Sequence, residues 1–147
     1  MKKTLLYQLT ETSIYMMAFV IVTQKNNVIV IDGGRPEDMP LLKEYIGGRH
    51  ISAWILTHPH EDHIGGFRDV IKEIEVGELW ICFPEDYNNH MKNAVSAAKK
   101  AGIPIKTYAD GDVFTLGAAT IEVWKLEGKS SEMNDCSAQM KVTFGER

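Results

Sequence analysis

Apolar and polar positions follow two periods along this chain, an extended one in the first third and a helical one recurring later. Residues 14–23 are rich in β-branched and aromatic side chains, Gln24-Lys25-Asn26-Asn27 is a turn signal, and residues 28–31 form a second strand. Asp32-Gly33-Gly34 ends that strand in a tight turn. A short helix follows, with Leu41, Leu42, Tyr45 and Ile46 on one face, and Gly47-Gly48 stops it. Residues 52–56 form a short apolar strand suited to burial on both faces. Phe67, Val70, Ile71 and Ile74 then recur at helical spacing. Residues 78–83 read as a strand ended by Pro84. Met91, Ala94, Val95, Ala98 and Ala101 mark an amphipathic helix closed by Gly102. Strands are predicted over 103–107, 112–116 and 120–126, a polar loop over 127–135, and a last strand over 138–144.

A β-run followed by alternating strands and helices predicts an α/β fold, a mixed β-sheet with helices on one face. The 147 residues suit one domain, 1–147, large enough to bury a core. Net charge -4 argues against strong nucleic-acid binding, which depends on clustered Lys and Arg. The adjacent pairs Lys2-Lys3 and Lys99-Lys100 read as solvated surface. Cys82 and Cys136 are too few for a disulfide framework, and Cys82 lies in an apolar stretch that suits a small buried residue. Lys2-Lys3 before Leu5-Leu6 opens like a signal peptide, but the polar run 8–13 breaks it. The apolar run 14–22 is shorter than the ~20 residues that cross a bilayer. These features predict a cytoplasmic protein with no membrane partner.

Candidate chemistry is concentrated in Thr57-His58-Pro59-His60-Glu61-Asp62-His63-Ile64-Gly65-Gly66. Imidazole nitrogen and carboxylate oxygen are both zinc ligands. Residues two apart in an extended segment point the same way, so His58 and His60 can reach one metal. Asp62 and His63 come where the chain turns into a helix and can reach a second. Two metals about 3.5–4 Å apart can share a nucleophilic hydroxide and stabilise charge developing on a substrate. Gly65-Gly66 would let the backbone pass close to the metals. Three of the five histidines fall in this loop; His50 and His90 stand alone in polar surroundings and read as surface.

The strand ending Ile31-Asp32-Gly33-Gly34, the histidine loop and the Ile64-Gly65-Gly66 helix start together resemble the metallo-β-lactamase superfamily. The resemblance implies about half of an αββα sandwich. It implies that His58 and His60 bind a first zinc and Asp62 and His63 a second, with Asp62 catalytic and Asp32 orienting the ligand loop. The reaction implied is ester or phosphodiester hydrolysis by a metal-bound hydroxide, on a small-molecule or phosphodiester substrate. A thioester hydrolase is the alternative among enzymes. A second loop histidine, where di-iron flavoprotein relatives carry Glu, favours zinc over iron. Asn134-Asp135-Cys136-Ser137 and the strand after it look like the Asn-x-x-Ser strand of the hydrolase domain in competence DNA-uptake proteins.

The departures from the family shape the expectation equally. No histidine follows His90, and no Thr-Gly-Asp turn supplies a bridging Asp. Asn134 or Asp135 is a conceivable third ligand. Two readings follow: a domain truncated at its C-terminus and incomplete as an enzyme, or a non-catalytic metal-binding or interaction module. A missing second half would expose Val123, Val142 and Phe144 and favour a homo-oligomer. Alternatively, residues 138–144 fold back over the sheet and close it.

Overall fold

The computed structural model describes residues 3–10, 15–125 and 136–145. Its main sheet has six strands in the order β1 (Leu5–Gln8), β2 (Ala18–Val22), β3 (Val28–Asp32), β4 (Ile51–Leu56), β5 (Leu79–Ile81) and β6 (Ile105–Thr107). β1, β2 and β3 are antiparallel; β3 to β6 run parallel. The switch follows from the connections. Thr23 to Asn27 closes a tight hairpin with Asn26 in the left-handed region, at φ 64°. The later strands are joined by helical crossovers, which parallel pairing requires. These crossovers carry α1 (Met39–Ile46), α2 (Glu61–Ile64), α3 (Phe67–Val70) and α4 (Asn89–Lys100).

Helices cover one face of this sheet, as the hydrophobic pattern predicts. Val28, Val30, Trp54 and Leu56 point into a core with Leu42, Ile46, Phe67, Val70, Met91, Val95 and Ala98. Ile71 and Ile74 pack against it half-buried. The alternate residues Ile29, Ile31, Ala53 and Ile55 point the other way, into a second core. That core is closed by a separate antiparallel sheet of β7 (Val113–Leu116), β8 (Ala119–Trp124) and β9 (Gln139–Phe144). The layers are therefore helix, sheet, sheet. β8 shows why the second sheet faces water on its far side. Ala119, Ile121 and Val123 are buried, while Glu122 on the opposite face pairs with Lys141 of β9.

Several sequence expectations change. Strand 14–23 narrows to β2, with residues 11–14 outside the described set. β1 was not anticipated, because a half-exposed edge strand has no clean alternation. The helix expected over 67–74 is helical only to Val70 and ends in turns. Val123 is buried, against the expectation of exposure, because β9 folds back and pairs with β8. Val142 and Phe144 are half-buried against the same core. Among the described residues no helix is long and apolar enough to cross a membrane.

Candidate metal centre

The histidine loop leaves the C-terminal end of β4, beside the end of β3, where parallel sheets commonly place ligands. Asp32, the last residue of β3, has φ 56°, a conformation that Asp tolerates better than most side chains. Its carboxylate is buried. It accepts Thr57 N–H at 2.8 Å, Thr57 Oγ1–H at 2.6 Å and His63 Nδ1–H at 2.9 Å. Asp32 thus ties the end of β4 to α2 rather than bonding its own turn. The adjoining glycines complete this clamp. Gly66 donates its N–H to Gly34 O at 3.1 Å, and a Cβ on Gly66 would collide with the Gly33 carbonyl. A Cβ on Gly33 would lie 2.6 Å from Trp54 Cζ2. Gly66 therefore serves the approach of two backbone segments, a different need from the metal clearance expected of it.

The structure brings His58, His60, Asp62 and His63 together as two facing pairs. His58 Nε2 lies 2.7 Å from His60 Nδ1, and His63 Nε2 lies 3.8 Å from Asp62 Oδ2. The outer nitrogens are occupied: His63 Nδ1 by Asp32, and His58 Nδ1 by Ser137 Oγ at 2.8 Å. A carboxylate only accepts, so His63 carries a proton on Nδ1, and Nε2 is the ring nitrogen turned toward Asp62. Hydrogen bonding of the far nitrogen is how metal-binding histidines are usually oriented. His50 is exposed and His90 half-buried.

Burial pushes the His58 pKa down to about 4, helped by His63 and His60 and opposed by Asp62. The ring is therefore neutral at pH 7, the form that binds a metal. For His63, burial acts downward, but the hydrogen bond and charge of Asp32, with Asp62, outweigh it and raise the pKa. Cys82, with Sγ 3.7 Å from Leu56 O, is pushed up to about 11 by burial. The Tyr108 hydroxyl donates to the same Leu56 carbonyl at 2.7 Å, and burial raises its pKa as well.

The donor set suits zinc, but as two pairs rather than a closed shell. Among the described residues no group of three or more His, Cys, Asp and Glu side chains is placed to hold one metal ion. Two nitrogens on a tetrahedral zinc lie about 3.3 Å apart, so the His58–His60 pair would open slightly around an ion. The suggested third ligands, Asn134 and Asp135, lie outside the described residues. Two supporting residues went unassigned in the sequence. Ser137 reaches His58 across 79 positions; its signal was the Ser of the Asn-x-x-Ser resemblance at Asn134 to Ser137, which by itself gives it no role beside the histidines. Asn88 caps α4 by accepting Met91 N–H and donates to Pro59 O at 2.9 Å, bracing the histidine loop. Its sequence signal was that of an ordinary helix cap.

A family model described as the metallo-beta-lactamase superfamily matches residues 17–127. Ribonuclease J of Thermus thermophilus is 43% identical over 53 residues, covering 29% of this chain and 9% of that protein. The metallo-beta-lactamase fold protein YhfI from Bacillus subtilis superposes with TM-score 0.63 at 16% identity, over 91% of this chain and 53% of that one. A metallo-beta-lactamase from Staphylococcus aureus gives 0.62 at 17% identity, over 97% of this chain and 39% of that one. The chain thus spans about half or less of these proteins. At such identities the structural likeness shows the fold.

Proposed function

Because this chain belongs to the metallo-β-lactamase superfamily, we propose that its histidine loop is the metal-holding part of a zinc-dependent hydrolase for esters or phosphodiesters. The observation that carries this reading is the arrangement of ring nitrogens. His58 and His63 each have Nδ1 engaged, by Ser137 and Asp32, and each turns Nε2 toward a second donor, His60 or Asp62. His58 and His60 would hold one ion, Asp62 and His63 another. Zinc there would supply Lewis-acid activation of water and of the ester oxygen. The chain's own residues position and desolvate. Asp32 fixes the His63 tautomer, Ser137 fixes the His58 ring, and burial keeps His58 unprotonated. We propose Asp62 as the residue that both holds an ion and orients the attacking water. The setting proposed is cytoplasmic, in keeping with two unbridged thiols.

A second reading is a metal-binding module without turnover. It is favoured by the two-pair arrangement, since catalytic zinc sites usually have three protein ligands per ion. Zinc stoichiometry and turnover separate the two. The expected result is binding of up to two zinc ions per chain, lost in His58→Ala and His63→Ala. Hydrolysis of a phosphodiester or oxyester chromogen, weak and abolished by chelation, supports the enzyme; preference for a thioester would select that alternative. Zinc held without turnover supports the module. A chain that retains no zinc ends both readings.

A further inference from the structure

We propose that Lys125 binds an anionic group of the substrate, a phosphate or carboxylate oxygen, on the wall beside the histidine pairs. This rests on the hydrolase reading for its substrate and on separate geometry for its site. Lys125 follows β8, and its backbone N–H is fixed by Asp110 Oδ1 at 2.7 Å. Its ammonium lies 4.8 Å from the centre of the Phe83 ring. Phe83 is buried just past β5, and its ring stands nearly perpendicular to His58 with centroids 6.3 Å apart. A cation is thereby held on an aromatic shelf one ring away from the candidate metal ligands.

What sets Lys125 apart is its place over Phe83 beside the histidines, since several of the described cations are committed to carboxylates and others are not. Arg35, Lys43, Lys72, Lys99 and Lys141 each meet a carboxylate, Glu61, Glu73, Asp69, Glu85 and Glu122 respectively. Lys125 is half-buried and meets no carboxylate among the described residues. The Phe83 face stabilises one side of the ammonium, and its N–H donors remain for an acceptor that no carboxylate of the described residues supplies. The acids nearest the histidines are otherwise engaged: Asp32 with Thr57 and His63, Asp62 with His63, and Glu61 with Arg35. The charge of Lys125 also acts on the Cys82 thiol, just past β5. Tyr87, exposed and 5.1 Å from Phe83 in an edge contact, extends the shelf outward and suits an aromatic or apolar leaving group.

The test is a titration of the full, metal-free chain by amide NMR with two probes, phenyl phosphate and phenylacetate. Both should shift the amides of Phe83 and Lys125, or phosphate alone should do so if a dianion is required; either result supports the site and tells the two sources apart. Lys125→Gln should weaken binding about tenfold or more, the loss expected for one charge-assisted hydrogen bond. Lys125→Arg should restore most of it, and Lys92→Gln on the exposed face of α4 should leave it unchanged. An unaltered amide spectrum elsewhere would show that the variants remain folded. Absence of binding to the native chain, shifts centred on another face, or full affinity in Lys125→Gln overturns the proposal. Zinc binding is measured separately on the same proteins. Loss of zinc binding with anion binding intact would remove the hydrolase reading and leave the anion site standing.

Discussion

The central strands β2 to β5 of the six-stranded sheet are covered on both faces, whereas the three-stranded sheet is covered on one, and β9 has β8 as its one strand neighbour among the described residues. The difference is visible residue by residue. In β4, Trp54 and Leu56 bury toward the helices and Ala53 and Ile55 toward the second sheet. In β8, only every second residue is buried. Between β1–β3 and β9 lies a cleft of about 530 Å³, lined by Leu6, Phe19, Ile21, Met140, Val142 and Phe144 and ending at Asp32 and Thr57. The candidate site thus stands on a rigid base on one side and a loosely closed one on the other. Rigidity at Asp32, His58 and His63 comes from the first sheet. Ser137, which holds the outer nitrogen of His58, comes from the second.

The largest expected effect tests that asymmetry. Trp54→Ala should cost about 3–5 kcal/mol, since it empties a fully buried position in contact with Phe67. Ile121→Ala, in the second core, should cost about 2 kcal/mol, at the low end for such a change, because the open sheet can relax into the gap. Urea denaturation measures both; equal losses would show the two sheets to be equally tight. Asp32→Asn comes next. It keeps the shape but replaces a charged acceptor of three hydrogen bonds, so about 1.5–3 kcal/mol of stability should go. Zinc affinity should fall about 10–100-fold, the usual cost of losing a residue that orients a ligand. Unchanged affinity by competition with a chromophoric chelator would remove Asp32 from the site.

Acidification should act on the same region. With a folded pKa of about 4 against an ordinary 6.5, His58 leaves the folded chain binding fewer protons than the unfolded one between those values. Its contribution therefore lowers stability as pH falls from 6.5 toward 4. His63 works in the opposite sense, since its raised pKa adds stability below 6.5 that is lost as pH rises through its folded value. The metal-free chain should show a smaller urea midpoint at pH 5 than at pH 7, and His58→Gln should flatten that slope. An unaltered slope in the variant would mean that other groups control it.

Subtler effects concern the edge at β9. We expect β9 to pair with β9 of a second copy at micromolar concentration. In a symmetric antiparallel pair, opposed residues share a face, and centring on Val142 sets Met140 of one copy against Phe144 of the other. Light scattering should report a dimer that Val142→Lys disrupts, with circular dichroism confirming the fold; a concentration-independent monomer would show that β9 closes the molecule unaided. The smallest effect is chemical. Cys82 lies at the seam of both cores with its thiol pushed up to about 11. In a Cys136→Ser background it should react slowly with a thiol reagent at pH 8 and rapidly once unfolded. Fast labelling of the native protein would show that the seam opens.

The clustering of the histidine loop was legible because a single stretch of ten residues carries all four candidate donors, and i, i+2 geometry alone turns His58 and His60 the same way. The central strands were legible because burial on both faces demands unbroken apolar runs such as Val28 to Ile31. The existence of α1 and α4 followed from their periodicity and terminal glycines. Tertiary structure decided the rest, because those features depend on partners far apart in the chain. β1 is a strand only because β2 offers an edge. Val123 is buried only because β9 returns to pair with β8. Asp32 became the hub of the site through Thr57, 25 residues on, and His63, 31 residues on. Ser137 meets His58, and Lys125 meets Phe83, only because the second sheet packs against the end of the first. Local pattern encodes which face a residue shows; the neighbour waiting at that face is set by how the layers stack.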